Sequence, residues 1–299
     1  MEAAAGKNIK KRKARYTLDK LFTGLLWVVM IAIFAVIFAM LFKIMAKGLM
    51  LLTPDFFWKL PDDIEVGGGI GPYLFNSFYV LIISLIISIP IGVGSGIYLA
   101  EYAPQNRFTE FIRTCVESLA SVPSIVFGVF GYMLFVDTFQ VGQTILGAGV
   151  TLALLNLPVI ARVTEEAIQS VPRELREASY AMGATKSITI NRVVIPAALS
   201  GILTGISLAA CRAFGESAII LLAGGTNFSG AMGDFNLTSP GGTLPVYLWY
   251  IQSTGLVADA SQIADKSAAI LVVIVLGISL LTRVPIWIRD NSMKRRPSK

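Results

Sequence analysis

Two ionisable side chains stand inside an otherwise apolar stretch, in the segment Cys211-Arg212-Ala213-Phe214-Gly215-Glu216-Ser217. An arginine at the centre of a lipid-embedded helix costs about 2.5–3.5 kcal/mol even on a lenient insertion scale. Their spacing of four predicts that Arg212 and Glu216 share one helix face. Two uses fit that arrangement. The pair satisfies itself and locks helices together, or it faces a path along which a solute moves. In the second case the guanidinium fork suits a tetrahedral oxyanion. Glu216 then holds the fork in place or accepts a proton from a protonated oxyanion, whereas it would repel a fully deprotonated one.

Other chemistries lack their residues. The chain has no histidine, which removes His-based zinc sites, Ser-His-Asp and Cys-His catalysis, and histidine proton relays. Cys115 and Cys211 are far apart and read as reduced, buried small residues. A phosphate-cradling loop needs G-x-x-x-x-G-K-[ST] after a strand; Gly183-Ala184-Thr185-Lys186-Ser187 lacks that spacing and follows a helical segment. No cofactor or metal site is expected in this chain.

The elements that must position Arg212 and Glu216 are membrane spans. The 299 residues are 55% hydrophobic and only 15% charged, against roughly 25% charge in soluble domains. Apolar runs occupy 21–42, 74–100, 118–136, 141–161, 199–225 and 268–282, the last continuing toward 288. Runs of about 18 or more read as transmembrane helices. They lack the period-two alternation of barrel strands. Pro90, Pro123 and Pro158 fall inside runs, where neighbouring helices can tolerate them. The expected fold is an all-α integral membrane bundle of six transmembrane helices. Its parts are a basic leader 1–20, a first span and outer loop 21–73, a five-helix core 74–288, and a basic tail 289–299.

Six spans place both ends on one side. The leader, the segments after 101 and 161, and the tail carry 20 Lys and Arg, while the opposite loops carry four: Lys43, Lys47, Lys59 and Lys266. Positive loops stay in the cytoplasm, so both termini are expected there. The net charge of +6 is assigned to anionic membrane lipid, with no nucleic-acid partner. The outer loops are 43–73 and 224–266. Within the second, residues 243–252 (TLPVYLWYIQ) predict a helix lying at the headgroups, because Trp and Tyr favour that depth. Gly92-x-x-x-Gly96 and Gly201-x-x-x-Gly205 allow close helix approach, within one bundle or between subunits.

The inner loop 162–198 carries a second pattern. Pro172 can start a helix, Glu174 and Glu177 suit its first turns, and Gly183 suits the position past its end. Leu175, Ala178 and Met182 make one face apolar. The pattern predicts a short amphipathic helix, a turn, and a second helix leading to Pro196. Its apolar face has no core of its own. It lies on headgroups, or it fits a groove on a cytoplasmic partner.

This segment resembles the EAA signature of ABC-importer permeases: Glu177-Ala178-Ser179, then Gly183, then Val193, Ile195 and Pro196, every spacing matching and Ser179 replacing an alanine. The resemblance implies a type I importer permease fold. Glu177, Ala178, Ser179, Gly183 and Pro196 would then belong to a coupling helix that docks into a separate ATPase subunit. ATP and magnesium would be held by that subunit, and this chain would not be an enzyme. Narrower likeness to phosphate permeases lies in residues 121–131, Gly183-Ala184-Thr185-Lys186, 194–198, 201–205, Arg212-Ala213-Phe214-Gly215-Glu216-Ser217 and Leu244-Pro245-Val246-Tyr247. One departure is Gly215-Glu216-Ser217-Ala218-Ile219, where one of the two sister branches reads Gly-Glu-Thr-Ala-Pro. Leu244-Pro245-Val246 and the short loop between the third and fourth spans favour that branch nonetheless. The resemblance implies a sister permease, two ATPase subunits, an external phosphate-binding protein, inorganic phosphate as cargo, and a bacterial or archaeal cell membrane. The alternatives are the other sister branch, a sulfate, molybdate or tungstate importer, or a secondary transporter or channel.

Overall fold

In lipid, a chain must satisfy its backbone within itself, and helices do so. The computed structural model describes residues 2–62, 65–255 and 257–294, with the backbone alone for 2–15, 17 and 285–294. Most charged side chains of the basic leader and tail therefore lie outside the described residues. Among the described residues the regular structure is helical, with no strand. Among the described residues five helices are long and apolar enough to cross a membrane, and a bent pair, taken as one span, brings the number to six.

The first helix, α1 (Glu2–Met50), runs unbroken through the expected leader and span and ends beyond Lys47, so the outer loop starts later than its lysines suggest. None of the apolar window in Leu18–Met50 is buried within this chain. It meets the remainder near Gly48, where a Cβ would strike Ala269 and the Asp265 carbonyl. After it come α2 (Gly71–Ile97), which ends in a π turn at Tyr98–Tyr102, and α3 (Arg107–Ser121). Next are α4 (Ser124–Tyr132), with a π turn at Met133–Thr138, and α5 (Ile145–Gln169). Buried residues run the length of α5, and it packs against α2, α3, α4 and α8 (Ile195–Phe214).

Small residues bring these helices together. Gly92 and Gly96 of α2 lie against Ile160, Ala161 and Thr164 of α5, and Gly201 and Gly205 of α8 lie against Ala167 and Val163 of the same helix. Both small-residue pairs thus serve packing within one bundle. At Gly96 the nearest obstacles include the Ala161 carbonyl, which cannot move aside as a side chain can. Gly96→Leu is expected to destabilise the bundle by about 1–3 kcal/mol, read as a lost monodisperse peak and a lower thermal midpoint in detergent. Gly24→Leu, with open space around its Cβ position, is the control that should leave both unchanged.

Two expectations are corrected. The third span is not a straight helix over 118–136: α3 and the Ser124–Thr138 segment meet at 91°. Pro123 removes a donor, and the residue before a proline avoids helical dihedrals; Val122 is extended, with φ −65° and ψ 132°. The fifth span is not one helix over 199–225. It begins at Lys186 and stops at Phe214, and a separate α9 (Ala218–Ala223) follows. The outer-loop helix, α10 (Leu244–Thr254), does form. Its apolar and aromatic side chains do not all face outward: it turns Leu244, Val246, Tyr247 and Ile251 into the core, while Trp249 stays exposed. Tyr247 stacks on Tyr73 at 4.2 Å. The Asn76 side chain donates to the Gly242 carbonyl and Ser77 accepts from the Leu244 amide, so α2 holds the entry to α10. The last helix, α11 (Ala260–Lys294), closes the chain against α1, α8 and α10.

Candidate functional site

The pattern around Glu177 folds as its residue types dictate. Pro172 sits at the N-cap of α6 (Arg173–Ala181), one residue before the helix. At the other end Gly183 has φ +82°, a left-handed conformation that glycine adopts without strain. The Gly183 amide donates to Tyr180 and the Ala184 amide to Ser179. These paired bonds satisfy the last carbonyls of the helix and fix its stop. Thr185 caps α7 (Lys186–Thr189), which passes through a π turn at Ile190–Val194 directly into α8. The expected second helix is therefore the first turns of the fifth span. Pro196 lies in the first turn of α8, directly after the π turn in which the Ile195 amide donates to the Ile190 carbonyl, and its missing amide is one a helix start leaves unpaired.

Nothing on α6 is buried. Leu175, Ala178, Tyr180 and Met182 are exposed, Met182 by 88%, so the apolar face has no cover among the described residues. Glu177 is exposed as well. Ser179 turns inward and its hydroxyl lies 2.9 Å from that of buried Thr189. The departure from alanine thus ties α6 to the start of the fifth span.

Spacing gave no sign of two long-range ion pairs beneath α6. The Arg176 guanidinium donates to Glu101 Oε1 at 2.8 and 3.1 Å, and to the carbonyls of Val171 at 2.6 Å and Ile168 at 2.9 Å. Arg113 of α3 donates to Glu165 Oε1 at 2.6 Å and to the Leu99 carbonyl at 2.8 Å. Gln169 donates to Glu165 at 3.0 Å. Arg113 and Glu165 stand among other charges, Arg107, Glu110 and Glu117 on α3 and Arg162 and Glu166 on α5, so nothing in their segments singled them out.

Arg212 and Glu216 do not share a helix face. Arg212 is exposed in the last turn of α8, while Gly215 ends that helix and Glu216 lies in the break before α9. Glu216 accepts from the Ala218 amide at 3.1 Å, as a cap for the new helix. Among the described residues no ion pair joins the two. The self-satisfying lock is thus absent. Gly215 and Ser217 hinted at a break, yet Gly215 is not left-handed, with φ −87°, and the Ser217 side chain makes no cap bond; the Glu216 carboxylate supplies it. Arg212 instead follows Thr204 and Leu208 at four-residue steps, and all three are exposed. Beside the break, Ile125, Ser217, Ala218, Leu221, Val246 and Trp249 line a cavity of about 200 Å³. Gly128 of α4 lies against the Ala218 carbonyl, so the bent third span meets the broken fifth. Cys115 and Cys211 are free thiols, half-buried where full burial was expected.

The chain combines helices apolar enough to cross a membrane, an exposed helical knob joined to its fifth span, and an exposed Thr204–Leu208–Arg212 stripe, and comparison with known proteins puts it in the permease class of transport subunits. The chain belongs to the family described as the binding-protein-dependent transport system inner membrane component, whose profile matches residues 92–295. It is 42% identical to the probable ABC transporter permease protein YqgI of Bacillus subtilis, over 89% of this chain and 94% of that one. It is 35% identical to the phosphate transport system permease protein PstA of Haemophilus influenzae, over 90% and 94%. The fold matches the inward-facing MetNI methionine ABC transporter with a TM-score of 0.55 at 23% identity, covering 69% of this chain and 91% of that one. The protein is therefore a multi-pass membrane permease subunit of an ABC importer, with the type I fold.

Proposed function

We propose that this chain forms half of the translocation path of an ATP-driven inorganic phosphate importer, of the PstA type. The observation that carries the cargo is Arg212, exposed and free of any ion pair among the described residues at the broken end of α8. A guanidinium at membrane depth needs water or protein around it. The exposed Thr204–Leu208–Arg212 stripe therefore faces a water-filled path completed by a second permease. The fork offers paired donors to a tetrahedral oxyanion. Glu216 stands one helix break away, where it can accept a proton without neutralising the arginine. The relatives named as phosphate permeases support phosphate over sulfate or molybdate.

In this reading α6 enters a groove on the ATPase, with Leu175, Ala178 and Met182 as its apolar contacts. Glu177 lies on the exposed face, Ser179 and Gly183 fix the helix's shape, and Pro196 starts the span it drives. The partners are a PstC-like sister permease, two PstB-like ATPases that hold ATP and magnesium, and an external PstS-like phosphate-binding protein. This chain supplies no catalytic residue and no cofactor site. The basic end, with both termini, faces the cytoplasm of a bacterial or archaeal cell.

The test is uptake in proteoliposomes containing the assembled complex, its binding protein and internal ATP. Radiolabelled phosphate should accumulate only with ATP, and a large excess of sulfate should leave it unchanged. Equal competition by sulfate, or accumulation without ATP, overturns the assignment.

A further inference from the structure

We infer that Arg176 is a positioning residue that converts movement of α6 into movement of α2 and α5. The inference rests on the reading that α6 meets the ATPase. An exposed helix can receive force from a partner, yet it passes on only what its own attachments carry. The backbone joins α6 to α5 through Ser170, Val171 and Pro172, a short linker that could flex. Ser179 joins it to Thr189 by one hydroxyl pair. Among the described residues α6 also packs against α7 and the π turn at Ile190–Val194; Arg176 adds a side-chain attachment that reaches the π turn of α2 and the end of α5 at once.

Its geometry suits a rigid strut. The side chain is 17% exposed and that of Glu101 is 9% exposed. Nε and Nη2 both reach Glu101 Oε1, while Nη1 and Nη2 reach the carbonyls of Val171 and Ile168. The Ile168 carbonyl is in the last turn of α5 and the Val171 carbonyl just past it, where the helix dipole favours a cation. A planar guanidinium held at four points has little freedom to swing. A lysine keeps the charge and loses the fork.

The element gripped on α2 is itself unusual. Glu101 lies in the π turn Tyr98–Tyr102, and π turns within helices often mark functional sites. The same turn leaves the Leu99 carbonyl free for Arg113, whose Nε also holds Glu165 of α5. Two guanidiniums thus clamp one π turn to α5, the first from α6 and the second from α3. Lys186 lies over the Tyr102 ring at 5.0 Å, so the foot of the fifth span touches the same turn. A buried ion pair is weak evidence for stability, because apolar packing often serves as well. Its directional bonds fix α6 at one angle to α2 and α5, which apolar packing alone would not.

The experiment compares wild type with Arg176→Lys, Glu101→Gln and the double variant in the reconstituted complex. Three quantities are read on each preparation: ATPase subunits co-purified, ATP hydrolysed, and radiolabelled phosphate taken up. Both single variants should retain the ATPases and hydrolyse ATP within about twofold of wild type, while phosphate moved per ATP falls by about tenfold. The double variant should fall no further than the worse single, because the two residues act as one contact. Unchanged phosphate per ATP in both singles overturns the inference. So does loss of the ATPases in step with uptake, since that marks a docking contact and not a strut. If Arg176→Lys fails to assemble, Glu101→Gln decides, because it keeps an acceptor oxygen at the same place. Failure of the reading beneath the inference shows separately, as ATPase subunits absent from the wild-type complex.

Discussion

Replacing Arg212 by glutamine leaves the complex assembled and lowers phosphate uptake by about one to two orders of magnitude, the loss expected when a charge-assisted hydrogen bond disappears. Assembly survives because Arg212 is exposed and supports no contact among the described residues that packing needs. Its neighbours in the helix, Ala213 and Phe214, carry the burial instead. Uptake falls because glutamine keeps the length and a donor but loses the charge and the fork. Arg212→Lys, which keeps the charge as a single point, should fall between the two. Size-exclusion profiles with co-purified partners report assembly, and uptake at saturating ATP reports transport. Full uptake by Arg212→Gln would remove Arg212 from the path.

Gly183→Val should release the ATPase subunits from the membrane complex. Valine at φ +82° costs about 1–2 kcal/mol of backbone strain, and a β-branched residue is among the worst tolerated there. The cheapest relief is to unwind the last turn of α6, breaking the bonds from Gly183 to Tyr180 and from Ala184 to Ser179. Tyr180 and Met182 then lose their fixed directions, and the contact surface loses its shape. The spans should be spared, because nothing lies within 4 Å of the Gly183 Cβ position. Less co-purified ATPase at unchanged permease yield is the expected result. Glu177→Trp, which crowds the exposed face, should act in the same direction without altering the helix stop.

The segment from Pro172 to Pro196 was the most legible part of the chain, for a local reason. Proline at its start and glycine at its end act over one or two residues, so α6 forms within a residue of its expected position. The breaks at Pro123 and at Gly215 were equally local, yet hydropathy hid them. An apolar run reads as one span whether or not its backbone continues. The break at Gly215 matters most, because it separates two charges that a continuous helix would have paired. For α10, the aromatic residues suggested the membrane surface, whereas Tyr247 finds its place against Tyr73, 174 positions earlier. The clamps Arg113–Glu165 and Arg176–Glu101 join residues 52 and 75 positions apart. No periodicity reports such a pairing; it follows only once α2 and α5 lie side by side.

The central claim is that the exposed face of α6 meets an ATP-hydrolysing subunit. A photocrosslinking residue at position 182, 88% exposed at the end of α6, tests it most directly in native membranes. Met50, equally exposed at the end of α1, is the control. A crosslinker at 182 should capture the ATP-binding subunit, with a yield that changes when ATP is added, and one at 50 should not. No adduct at 182, or the same adduct from both positions, contradicts the account.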